Sequence, residues 1–313
     1  MINLSEVNAL IILLDDEDVV VYEHVQSKLI SYGSAIIPIL LQEIKAVTNP
    51  IQKERIFEII RHLQFKLVRD ELKQWYESQE QDLLTGICIV AKYKYPEIDK
   101  QQIANEIDKI RLEIWLEMHY DLSPFEKIRI INNTLFSFYK FTGNTDNFHS
   151  PDNSYINVVL SKKCGNPILL SIVYILIAQR LQLPVFGVNL PQHFVCAFKE
   201  DKQEHSLMDA FNSSTQMDYK KGRVLFYINA YKNGAVFSRS NLEHFLMQMR
   251  IEPKSEYFEA CSNLQIMKRV LRNLVVAYTK EEKMQEAEDI KEMLLILGEN
   301  YMGFSDDDSE NEL

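Results

Sequence analysis

The sequence has no pair of cysteines spaced for a metal site or for redox chemistry. Cys88, Cys164, Cys196 and Cys261 are far apart and make no CxxC. That excludes a disulfide framework or a zinc knuckle as the organising element and suits free thiols in a reducing, cytoplasmic setting. Glycine and proline are equally scarce, nine of each, so collagen-like and linker-rich architectures are excluded. There is no excess of positive charge. The formal net charge is −11, the wrong sign for a general nucleic-acid binder, which needs a basic footprint on phosphate. No long hydrophobic run is present either. Ile168 to Ala178 is the longest, about 11 residues against roughly 20 for a membrane span. The first residues lack the basic start and small-residue cleavage site of a secretory signal.

What remains is a globular composition, 46% hydrophobic and 25% charged over 313 residues. Helical periodicity dominates up to about Tyr120. Leu10, Leu13 and Leu14 form one stripe, and Val21, Val25, Leu29 and Tyr32 a second. Asp15 to Asp18 supplies N-cap oxygens between them, and Gly33 suits a left-handed C-terminal position. Asn49-Pro50 opens a further helix through Leu63. Residues 10–41 resemble a HEAT-type repeat; the same pattern also fits an irregular helical bundle.

Ser123-Pro124-Phe125-Glu126 is a capping box with proline at N1, predicting a helix through Phe138. A polar loop follows over 143–153, then a short helix over 155–162. Asn166-Pro167 restarts the chain as N-cap and N1 of a helix apolar on every side, hence buried. Strand-like stretches at 185–190, 193–198 and 206–211 come next, with the last two expected to form a hairpin about 199–205. Helices return near Asn241. Residues 264–279 and 282–297 predict an antiparallel pair, with Leu274, Tyr278 and Ala287 at TPR-type offsets. The acidic run Asp306 to Glu312 reads as a disordered tail. The expected segments are a helical repeat domain at 1–120, an α+β domain at 121–238, a TPR-like segment at 239–302 and the tail at 303–313. The fold class is mainly α with a small α+β domain.

A buried helix followed by a small antiparallel sheet is also the layout of cysteine hydrolases that place a thiol at the helix N-terminus and a histidine on the sheet. In the expected hairpin His193 falls opposite the region of Asp209, so an imidazole–carboxylate pair is foreseen. The helix opens with Pro167, which has no thiol; Cys164 lies three residues earlier. Cys196 alternates onto the face opposite His193, and Ser171 suits a hydroxyl bonded to its own helix. None of the other histidines shows metal-ligand spacing, and no cofactor motif is present.

Residues 133–212 resemble the SirB family of bacterial transglutaminase-like proteins. The resemblance is carried by Asn153-Ser154, Gly165-Asn166-Pro167, Leu170-Ser171, Pro191-Gln192-His193-Phe194 and Asp209-Ala210-Phe211, with Arg272-Asn273-Leu274 in the TPR-like tail. It implies a transglutaminase-like core in which a Gly-x-Cys motif opens the helix; here Pro167 stands for the cysteine, while His193 and Asp209 match the histidine and aspartate. The expected role is a catalytically degenerate module that binds a protein or peptide. The alternative is a hydrolase or acyltransferase using Cys164, His193 and Asp209. Asn153, Gly165, Asn166, Pro167 and Gln192 are the expected cleft-lining residues.

Overall fold

The computed structural model describes residues 3–200, 220 and 222–300. The expected strand at 206–211, with Asp209, and the acidic tail both lie outside the described residues. The chain divides into two compact units, Met1–Glu71 and Leu72–Leu313.

In the first unit, Asn3 caps α1 (Leu4–Leu13) by accepting from the Ser5 and Glu6 amides, and Asp18 caps α2 (Val19–Ser31). Gly33 takes φ +69° where α2 has ended, and a 3₁₀ turn leads into α3 (Ile37–Glu43). Asn49 accepts from the Ile51 amide at the start of α4 (Pro50–Glu77). The core is built from Val7 and Ile11 of α1 and its C-cap Leu14, with Val25, Leu29, Leu40, Ile56, Ile59 and Leu63. The buried stripe of α1 thus runs i, i+4, i+7 from Val7, and Leu13, expected inside, is 43% exposed. Gln52 and Arg55 of α4 donate to the carbonyls of Ile11, Leu14 and Asp16, satisfying the C-terminal end of α1.

The second unit is helical around a small sheet. It holds α5 (Leu83–Lys92), α6 (Lys100–Glu117), α7 (Pro124–Asn132), α8 (Ile156–Lys162), α9 (Pro167–Arg180), α10 (Arg239–Gln248), α11 (Asn263–Lys280) and α12 (Met284–Ile296). The capping box at Ser123 and Glu126 forms as expected. Beyond Asn132 the chain widens into a π-helix over Asn133–Phe138. Apolar spacing does not distinguish that winding from an α-helix.

β1 (Thr142–Gly143) and β2 (Cys164–Gly165) make a short parallel pair. β3 (Val185–Asn189), β4 (Phe194–Lys199), β5 (Val224–Asn229) and β6 (Ala235–Phe237) form an antiparallel sheet in that order. The expected partner of 193–198 in a hairpin, 206–211, lies outside the described residues. β4 is an inner strand whose two edges are taken by β3 and by β5.

α9 is buried from Ile168 to Ala178 and packs on one face of the sheet, where Cys196 Sγ lies 3.8 Å from the Ser171 carbonyl. The other face, with Val188, Val195, Ala197 and Tyr227, meets Leu242 and Leu246 of α10. α11 and α12 fold back on each other as a helical hairpin. Phenol hydrogen bonds tie this hairpin to the rest of the unit. Tyr155 and Tyr278 share a hydrogen bond of 2.6 Å, and Tyr93 donates to Asp289 at 2.7 Å.

Candidate functional site

The start of α9 is organised by asparagine amides. Asn166 at the N-cap accepts from the Leu169 amide at 3.0 Å and donates to Ser154 Oγ at 2.8 Å. Such a cap satisfies one of the helix's unpaired donors and fixes the angle at which the chain enters. Pro167 occupies N1, where its fixed φ suits the helix and its missing N–H costs nothing.

The loop before α8 is held from inside. Asn153, 4% exposed, donates to the Asn147 and Phe148 carbonyls at 2.7 and 2.9 Å and accepts from Asn144 at 2.8 Å. Its own carbonyl accepts from the Asn166 amide. Tyr231 closes the far side, its hydroxyl 3.3 Å from the Asn144 carbonyl and its ring filling the space a side chain at Gly143 would need. Gly165 is likewise pressed against Val159.

Cys164 lies in β2, half-buried, paired with Thr142. Burial pushes its thiol above the ordinary value, and the Asp146 carboxylate pushes it further; the Gly165 amide and Lys162 offset only part of this. Tyr231 is raised by burial and then by the neighbouring Cys164. This is the reverse of a reactive cysteine, whose surroundings favour the thiolate.

His193 closes the tight β3–β4 turn, exchanging backbone bonds with Leu190 across Pro191 and Gln192, the latter at φ +58°. Its ring stands edge-on to Phe245 of α10 at 4.7 Å between centroids. Burial lowers its pKa, and Arg269 and Lys232 lower it further. Among the described residues neither His193 Nδ1 nor Gln192 Oε1 has a hydrogen-bond partner. Among the described residues no hydrogen bond joins Cys164 to His193, and neither is among the groups that shift the other's pKa. The structure brings together Asn153, Cys164, Gly165, Asn166 and Pro167. His193 and Gln192 lie at the turn, and Asp209 falls outside the described residues.

The other nucleophile types are occupied. Ser171 donates to the Pro167 carbonyl at 2.8 Å, as its place in the helix predicts. Cys88, Cys196 and Cys261 are buried with thiols pushed up to about 12. Among the described residues no group of three or more His, Cys, Asp or Glu is placed to hold a metal. No described helix is long and apolar enough to cross a membrane. Asn144, Asp146 and Tyr231 carry no motif in the sequence. Asn144 and Asp146 sit in an ordinary polar loop, and Tyr231 reaches the site only through long-range packing.

Residues 101–272, more than half of the chain, match the transglutaminase-like superfamily. The chain belongs to that superfamily. The matched span contains α9, its asparagine frame and the β3–β4 turn. Among similar proteins, a UPF0162 protein of Xylella fastidiosa (strain 9a5c) is 27% identical over 222 residues, covering 70% of this chain and 72% of the relative. The protein SirB1 of Salmonella typhimurium is 20% identical over 224 residues, covering 70% and 75%. The mouse F-box only protein 21 is 29% identical over 126 residues, which is 38% of this chain and 20% of that protein. No solved structure matches. Within this transglutaminase-like chain the helix that carries the Gly165-Asn166-Pro167 motif is the buried α9.

Proposed function

We propose that the chain is a catalytically degenerate transglutaminase-like protein acting as a binding module for another protein or a peptide. The observation that carries this reading is Pro167 at N1 of α9, the position where the resemblance places the nucleophile. A proline supplies neither a thiol nor an amide donor there. Cys164 is a poor substitute, because burial and Asp146 disfavour its thiolate and no imidazole is hydrogen-bonded to it. Nucleophilic catalysis needs a base within hydrogen-bond reach of the attacking group. The helices of the first unit, read as HEAT-like, and the α11–α12 pair, read as TPR-like, would supply the interaction surfaces of a cytoplasmic regulator.

A burst-phase assay tests this directly. The full chain is mixed with p-nitrophenyl acetate and the first turnover is followed by absorbance and intact mass. The expected result is no acyl adduct on Cys164 and a slow release that is equal in wild type, Cys164→Ser and His193→Ala. A stoichiometric burst abolished by either substitution would make the chain a cysteine-dependent hydrolase or acyltransferase instead.

A further inference from the structure

Lys162 and Lys163 are neighbours in sequence with opposite surroundings. Lys162 is exposed at the end of α8 and pairs with Asp152 at 3.3 Å, sharing that carboxylate with Lys94. Lys163 caps α8 in the left-handed conformation, φ +54°, and its carbonyl accepts from the Thr142 amide at 2.9 Å. Its side chain lies over two rings instead of meeting a carboxylate. Nζ stands 4.9 Å from the centroid of Phe141 and 5.5 Å from that of Tyr139.

The amine is half enclosed and unpaired. Lys163 is half-buried, and among the described residues its Nζ makes no hydrogen bond or ion pair. The nitrogen is still reachable. The buried side-chain atoms left without a partner are those of Tyr32, Asn157, Asn189, Gln192 and His193, and Lys163 Nζ is not one of them.

The charged groups that act on it come from α6. Burial lowers the Lys163 pKa; Glu106 opposes that and Lys109 adds to it. Glu106 is itself engaged by Lys109 at 3.4 Å. Burial and then Glu113 push the Tyr139 phenol up to about 12, so that wall stays neutral. The rings attract an ammonium only weakly at this range, while they keep water from one side of it. Desolvation between apolar walls raises the neutral, nucleophilic fraction of a lysine near pH 7.

We propose that Lys163 is a site of covalent acylation, taking a small acyl group from an acyl phosphate. The Nζ lone pair attacks the carbonyl carbon. The N–C bond forms as the C–O bond to phosphate breaks, and the phosphate leaves with that electron pair and one amine proton, as hydrogen phosphate. Among the described residues no base is hydrogen-bonded to the amine, so the donor must bring its own good leaving group, as an acyl phosphate does. The product is a neutral amide lying against Phe141 and Tyr139, and the corner that leads into β2 loses one positive charge. The site does not depend on the reading of the thiol. A burst at Cys164 would leave it standing.

The test is timed acetylation of the full native chain with acetyl phosphate, read site by site by peptide mass spectrometry, with Lys162 as the internal reference. Near pH 7 the proposal expects Lys163 to react at least about fivefold faster than Lys162, with a rate whose midpoint in pH lies below the ordinary lysine value of about 10.4. In denaturant both amines are solvated, and the ratio is expected to fall to about one. A native ratio of one or less, a midpoint at or above the ordinary value, or a preference that persists in denaturant would overturn the proposal.

Discussion

The Asn166 amide and the Ser154 hydroxyl meet at 2.8 Å inside the protein, joining the N-cap of α9 to the turn that precedes α8. Because Asn166 also holds the Leu169 amide, one side chain sets both the start of the helix and the position of the neighbouring β2 strand. Replacing Asn166 with alanine removes the cap and leaves Ser154 with one partner fewer. The expected cost is about 1–2 kcal/mol of unfolding free energy. Urea denaturation checks this; an unchanged midpoint would mean that the cap is dispensable.

Gly143 and Tyr231 pack so closely that a methyl group at Gly143 meets the ring. Gly143→Ala is expected to destabilise by about 1–3 kcal/mol, the usual range for overpacking. The same change in a Tyr231→Ala background is expected to cost far less, because the obstruction is gone. Additive effects in the double-mutant cycle would contradict the contact.

The Tyr155–Tyr278 pair has a pH signature. Burial raises the Tyr278 phenol from 10.0 to about 12 and raises Tyr155 as well. The protonated phenols are the forms the folded state prefers. Their contribution is therefore complete below the unfolded value near 10 and is lost as pH rises through about 12. Denaturant midpoints should fall steadily above pH 10. Tyr278→Phe leaves the Tyr155 hydroxyl unpartnered, and about 1–3 kcal/mol is the expected cost at pH 7.

His193 runs the other way. Burial, then Arg269 and Lys232, depress its pKa, so the folded state prefers neutral imidazole. That stability is present above the unfolded value near 6.5 and is lost as pH falls through the lower folded value. NMR titration of the His193 ring should give a midpoint below 6.5, and His193→Gln should flatten the acid limb of the stability curve. A midpoint above 6.5 would indicate a carboxylate at Nδ1.

Much of this architecture is written locally. Ser123 with Glu126, and Asn166 with Pro167, announce their helices through hydrogen bonds made within a single turn. The all-apolar composition of α9 announces its burial. The partners of β4 were not legible, because strand pairing depends on long-range register. The run Val224 to Ile228 has the β-branched and aromatic character of a strand, yet nothing local says that it lies beside β4. At the candidate site, Asn153, Gly165 and Asn166 could be read from their motif. Tyr231 could not, since its relation to Gly143 and Asn144 crosses almost ninety residues of chain.

The central claim, that no activated thiol stands at the start of α9, is tested most directly by the pH dependence of Cys164 alkylation, followed by mass spectrometry in the native protein and in His193→Ala. With burial and Asp146 acting together, the account predicts a thiolate that forms above the free-cysteine value of about 8.5, with the same profile in both proteins. A thiolate forming well below that value and shifting back in His193→Ala would contradict it and make Cys164 a working nucleophile.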